Sequence, residues 1–334
     1  MSRLGGKCEN PKVGGEGNDG VLVDPNEVHP DLVGVAGTLR QLGLLPVVEG
    51  EIHKVRAQLE RIGAWASRPS VPLSCERMLG FSVNCRVVPC KLYWPEDDDT
   101  PLLMFYCHGG GFRHGTLADW DAPLRQWVRD SGMAVLSIGY ALSPEYRFPV
   151  AFNEVVSIVS RVINLGAITH CPVRGYALGG DSAGANLALG TALALRDAGL
   201  DALRQLVLFY GSYSRRVSSD SWQRLSGYGG QNLSAKTMRA YWASYLAEDE
   251  DDWRVQPITA DLAGLPPVRL IVGSLDPLYD ENCELADKLR AAGVATSLEV
   301  LANMTHGFMR FNEVAPVVRD VIFAQATALR KALA

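Results

Sequence analysis

Short apolar runs recur along the chain from about residue 76, separated by longer stretches whose apolar positions return every three or four residues. The first pattern is that of strands, the second that of helices buried along one face. The spacing predicts strands at 86–94, 102–107, 134–138, 175–178, 206–209, 268–273 and 296–300. Helices are predicted at 118–131, 150–165, 182–197, 282–292 and 316–333, with Gly or Pro breaks at their ends. Several strands, 102–107 among them, are apolar at nearly every position instead of alternating, as strands covered on both faces are. The pattern predicts an α/β fold with a mostly parallel central sheet flanked by helices.

Two segments break the alternation. Residues 1–71 precede the first strand–helix unit, and residues 212–256 hold a polar, Gly-containing stretch followed by a helical run at 234–246. Both are additions to one core domain that begins near residue 72. The length of 334 residues fits a single α/β domain with insertions, and 47% hydrophobic with 21% charged residues excludes disorder and coiled coil. A formal charge of −5, with no basic stripe, argues against nucleic acid as a partner. The chain has no apolar run long enough to span a bilayer and starts with polar, Gly-rich sequence, so the expected location is the cytoplasm. Seven cysteines, an odd number without a Cys-x-x-Cys pair, fit neither a disulfide framework nor a zinc ribbon. The acidic runs 96–99 and 248–252 are expected to be solvated turns.

The sharpest chemical signal is Gly180-Asp181-Ser182-Ala183-Gly184, set between a predicted strand and a predicted helix. An abrupt strand-to-helix turn forces its middle residue into a strained conformation and needs small neighbours, leaving the Ser182 hydroxyl exposed at the carboxyl edge of the sheet. Taken alone, the pentapeptide would also suit a serine that only caps a helix. A second motif, His108-Gly109-Gly110-Gly111-Phe112, follows the strand at 102–107. Consecutive glycines leave backbone N–H groups free to face an oxyanion, and Gly109, Gly110 and Ala183 are the expected donors.

A serine nucleophile needs a base and an acid that orients it. Asp276 follows the strand at 268–273 and His306 follows the strand at 296–300, so the chain order is Ser182, Asp276, His306. That order is the one found on α/β-hydrolase folds. Asp280 and Glu281 compete with Asp276 for the acid role, but Asp276 stands closest to its strand. The other five histidines are poorer bases: His108 and His114 lie in the glycine loop, His29 and His53 precede the first predicted strand, and His170 stands at the opposite sheet edge.

These motifs resemble the hormone-sensitive-lipase-like family of α/β-hydrolases, esterases and lipases marked by HGGG and GDSAG. Residues 140–149, Tyr-Ala-Leu-Ser-Pro-Glu-Tyr-Arg-Phe-Pro, and Asp276-Pro277-Leu278 with Asp280-Glu281 are similar to two further family stretches. The resemblance covers about residues 75–334. It implies Ser182 as nucleophile, Asp276 as orienting acid, His306 as base, and Gly109, Gly110 and Ala183 as oxyanion hole. It also implies that N-terminal helices and residues 212–256 form a helical cap, and it makes a homodimer plausible. The expected activity is hydrolysis of short- to medium-chain carboxylic esters through an acyl-enzyme, with a small-molecule ester as partner and neither metal nor cofactor. An amidase or lactonase on the same triad is the alternative. A non-catalytic binding protein is the rival from another class, but here all three triad candidates are present. Phe112, Tyr213, Trp222, Tyr228 and Phe308 are candidates for lining the pocket and equally for packing the core.

Overall fold

In β3 (Leu103–Cys107) every side chain is fully buried, and alternate residues enter different layers. Leu103, Phe105 and Cys107 join one apolar cluster, Met104 and Tyr106 the other. A strand that feeds two cores carries no polar face, which is why its sequence is continuously apolar. The computed structural model describes residues 27–333 apart from 46–49, 68–70, 74, 97, 229–231 and 249–250. Residues 1–26, the polar start and the first part of the expected cap, lie outside the described residues, as do parts of the acidic runs 96–99 and 248–252.

Along the chain come α1 (Pro30–Gln41), α2 (Ile52–Ala66), β1 (Cys75–Val83), β2 (Arg86–Trp94), β3, α3 (Asp121–Ser131), β4 (Ala134–Ile138) and α4 (Val150–Leu165). A small hairpin of β5 (Ala167–Ile168) and β6 (Cys171–Pro172) leads to β7 (Tyr176–Asp181), α5 (Ala183–Asp197) and β8 (Leu203–Phe209). Then follow α6 (Asp220–Leu225), α7 (Ala235–Tyr245), β9 (Val268–Gly273), α8 (Tyr279–Ala291), β10 (Thr296–Leu301) and α9 (Pro316–Leu333).

Eight strands form one sheet in the order β1-β2-β4-β3-β7-β8-β9-β10. β1 and β2 are an antiparallel hairpin, β2 is antiparallel to β4, and all neighbours from β4 to β10 are parallel. α3 and α9 cover one face, α4, α5 and α8 the other. From β3 the chain steps outward to β4, returns past β3 to β7, and continues through β8 and β9 to β10. The winding direction reverses between β3 and β7, so the loops leaving their carboxyl ends part and open a crevice. The two glycine-rich motifs sit on those two loops.

The expected α/β architecture is present, and β2, β4, β9, α4 and α9 have the expected bounds. β1 is the missed strand of the main sheet: it is an edge strand with mostly exposed side chains, so it shows no apolar run. No helix among the described residues is long and apolar enough to cross a membrane.

Candidate active site

The chain passes from β7 to α5 through one residue, Ser182, at φ 52° and ψ −118°. L residues avoid this region, and surrounding contacts hold it there. The Ser182 N–H donates to the Phe209 carbonyl at 2.9 Å, while its own carbonyl accepts from Ala185 and Ser212. A Cβ on Gly184 would stand 1.9 Å from the Cys107 carbonyl oxygen, so glycine alone lets the start of α5 pack this close to β3. The Ser182 side chain makes no capping hydrogen bond. Its Oγ lies 3.0 Å from His306 Nε2.

On the other side of the ring, His306 Nδ1 lies 2.8 Å from Asp276 Oδ2. Asp276 is fully buried, and its second oxygen accepts the Leu278 N–H at 2.8 Å, so the Asp-Pro turn after β9 fixes the carboxylate. The loops after β9 and β10 are bound together: the Leu275 N–H donates to the Met304 carbonyl, and the Asn303 N–H to Ser274 Oγ. Asp280 and Glu281 are occupied elsewhere. Asp280 accepts the Ser221 N–H at 2.7 Å, and Glu281 accepts the N–H groups of Tyr213 and Ser214. Burial pushes the Glu281 carboxyl up to about 8, against the pull of those two N–H donors.

Sequence reasoning missed Asn232. Its side chain accepts the His306 N–H at 3.2 Å and donates to the carbonyls of Leu275 and Leu225, linking the His306 loop, the Asp276 loop and the end of α6. Nothing in the local sequence distinguishes it from a turn asparagine.

The glycine loop corrects one expectation. The Gly109 N–H donates to Asp181 Oδ1 at 2.8 Å, so it is not available to a substrate oxygen. Gly110 and Gly111 line the cavity beside Ser182, and no hydrogen bond within the described residues uses their N–H groups. Ala183 opens α5, where the first N–H groups have no partner inside the helix. The donors that remain are therefore Gly110, Gly111 and Ala183. Gly111 sits at φ 58°, and a Cβ there would come within 2.3 Å of the Tyr241 ring. Asp181 also accepts from the hydroxyls of Tyr106 at 2.9 Å and Tyr210 at 3.3 Å, and burial pushes its carboxyl up to about 6. The two loop histidines are not bases. His108 stacks on Tyr140 and His114 meets the Tyr241 hydroxyl at 2.9 Å, and burial pushes both rings below the usual histidine range.

A cavity of about 480 Å³ opens over Ser182 and His306. Leu32, Val35 and Leu39 of α1 and Leu59 of α2 form an apolar wall, and Thr237 and Tyr241 of α7 face it. Phe308 lines the cavity as expected, but Phe112 and Tyr213 do not. The Phe112 ring stacks on Tyr245 at 3.9 Å and packs against Trp242, fastening the glycine loop to α7. Tyr213 is fully buried beside Gly211, and Trp222 is buried in the same core. Tyr228 is partly exposed and off the cavity wall.

An α/β-hydrolase sheet with a serine, a carboxylate and a histidine in that chain order at its carboxyl edge defines a class of protein. A family model described as the alpha/beta hydrolase fold matches residues 104–310. The carboxylic ester hydrolase LipN of Mycobacterium tuberculosis is 32% identical over 309 residues, spanning 86% of this chain and 79% of that protein. The ethyl acetate hydrolase of Pseudomonas putida is 29% identical over 300 residues, spanning 87% and 93%. Among solved structures, the hyperthermophilic esterase of the archaeon Pyrobaculum calidifontis matches with a TM-score of 0.84 at 27% identity, covering 91% of this chain and 98% of that one. The chain belongs to the α/β-hydrolase family, in its hormone-sensitive-lipase-like branch.

Proposed function

We propose that this carboxylic ester hydrolase cleaves short- to medium-chain esters with Ser182 as nucleophile, His306 as general base and Asp276 as orienting acid. The observation that carries the reading is the relay of contacts, 3.0 Å from Ser182 Oγ to His306 Nε2 and 2.8 Å from His306 Nδ1 to Asp276 Oδ2. Ser182 Oγ attacks the ester carbonyl while His306 Nε2 takes its proton, and Asp276 stabilises the imidazolium that forms. The tetrahedral oxyanion is received by the N–H groups of Gly110, Gly111 and Ala183. Collapse of this intermediate breaks the bond to the alcohol, which leaves with the proton from His306. Water, deprotonated by His306, then attacks the acyl-enzyme and frees the acid and Ser182.

Helices α1, α2, α6 and α7 act as the cap that closes the site. The size limit is supported by the 480 Å³ cavity, which is bounded by leucine and valine side chains of α1 and α2. The named substrate of the Pseudomonas putida relative, ethyl acetate, points the same way. Hydrolysis of p-nitrophenyl esters from C2 to C12 by the wild type and by Ser182→Ala tests the reading. It predicts activity on the shorter esters that disappears in the variant. Rates that climb through C12 and jump on emulsions would overturn the size limit.

A further inference from the structure

The cavity over Ser182 is apolar along α1 and α2, yet a guanidinium stands in its wall. Arg310 belongs to the short turn Phe308–Phe311 that follows His306. Its Cζ lies 5.7 Å from the ring centres of both Trp120 and Phe311, and these two rings line the same cavity. Aromatic faces hold a cation in place without using up its hydrogen-bond donors. Among the described residues no ion pair or hydrogen bond engages the Arg310 guanidinium. Other partly buried arginines are paired: Arg56 with Glu145, Arg125 with Glu76 and Asp121, Arg269 with Glu299. Asp181, the carboxylate on the cavity wall, feels the Arg310 charge through space but gives its oxygens to Tyr106, Gly109 and Tyr210.

We propose that the preferred substrates are esters bearing a carboxylate group, and that Arg310 is the specificity-determining residue that receives it. The inference rests on the ester-hydrolase reading above. A planar fork of N–H donors matches a carboxylate with two parallel hydrogen bonds. A neutral alkyl ester leaves that fork without an acceptor, so the charged ester gains a contact that the neutral one lacks. The carboxylate belongs to the acid half of the ester or to its alcohol half, according to which half lies against residues 308–311.

Two substrate pairs separate these cases: monoethyl succinate against ethyl 4-methylpentanoate, and 4-acetoxybenzoate against its methyl ester. The wild type is expected to show the higher kcat/KM on the charged member of at least one pair. Arg310→Met is expected to lower that charged-to-neutral ratio by about 10- to 100-fold, the range for a hydrogen bond to a charged group, mainly through KM. Arg310→Lys should recover part of it. A wild type that favours the neutral member of both pairs overturns the inference without any variant, and so does a ratio that Arg310→Met leaves unchanged. Activity on neutral esters with charged ones refused contradicts only this inference, whereas inactivity on all four contradicts the esterase reading as well.

Discussion

Ser182, His306 and Asp276 come from three loops after three strands, and each is fixed by contacts its neighbours supply. Asp181 is the least obvious of these suppliers. Its buried carboxylate faces three donors, the N–H of Gly109 and the hydroxyls of Tyr106 and Tyr210, and so ties the glycine loop to the serine turn. Asparagine at 181 would bring an N–H₂ group into this ring of donors and leave one without an acceptor. Asp181→Asn is therefore expected to lower kcat about 10- to 100-fold with little change in KM, below the 10²- to 10³-fold typical of losing a whole oxyanion donor. Steady-state kinetics decide it, and wild-type kcat in the variant would refute the role. At this scale the sequence already shows the three residues of the relay, because strand ends, chain order and a strained G-x-S-x-G turn restrict the choice. The N–H groups proposed to receive the oxyanion were legible only in part. The motif shows that glycine N–H groups are available, but not that Asp181, 72 residues from Gly109, takes the first of them.

Between elements, a few buried polar side chains carry the connections. Glu281, in the first turn of α8, accepts N–H groups from Tyr213 and Ser214 and so holds the start of the segment that leads to α6 and α7. Its carboxyl is raised from an ordinary 4.5 to about 8 by burial. The folded state then binds the proton more tightly than the unfolded one, so the stability this gives is complete below pH 4.5 and is lost as pH rises towards 8 and past it. Tm is expected to fall between pH 6 and pH 9, and Glu281→Gln, which keeps the accepting oxygen, should flatten that fall. Thermal melts at a series of pH values check this, and identical slopes in both proteins would count against it. Asn232 is the second connection. Asn232→Ala leaves two carbonyls and the His306 N–H without partners, at a cost of about 1–3 kcal/mol for each buried group, and should lower both Tm and kcat. Melting and turnover measured on one preparation would show it, and a variant unchanged in both would refute it. Such connections escape sequence reading: Asn232 looks like an ordinary turn residue, and Glu281 stands out only as a rival for the acid role, not as an acceptor for a distant segment. β1 escaped for a related reason: at the sheet edge an exposed strand needs no apolar pattern.

Across the whole molecule, the reversal of winding between β3 and β7 puts the glycine loop and the serine turn side by side, while β9 and β10 deliver Asp276 and His306 to the same edge. That plan was legible because doubly covered strands and amphipathic helices write distinct periods into the sequence. The cover over the cavity was less so. α1, α2 and α7 reach the cavity through scattered side chains, and the aromatics that stand out in sequence, Phe112 and Tyr213, fasten loops to the core instead. With the apolar wall supplied by α1 and α2, the rate on p-nitrophenyl esters is expected to peak at short to medium acyl length and to drop at C12. The central claim is that Ser182, activated by His306, is the nucleophile, and covalent labelling tests it most directly. The folded wild type should take up one fluorophosphonate per chain, located by mass spectrometry on Ser182, and Ser182→Ala should take up none and lose about 10⁴- to 10⁶-fold in turnover. Label on another residue, or a Ser182→Ala protein that still hydrolyses esters at the wild-type rate, would contradict it.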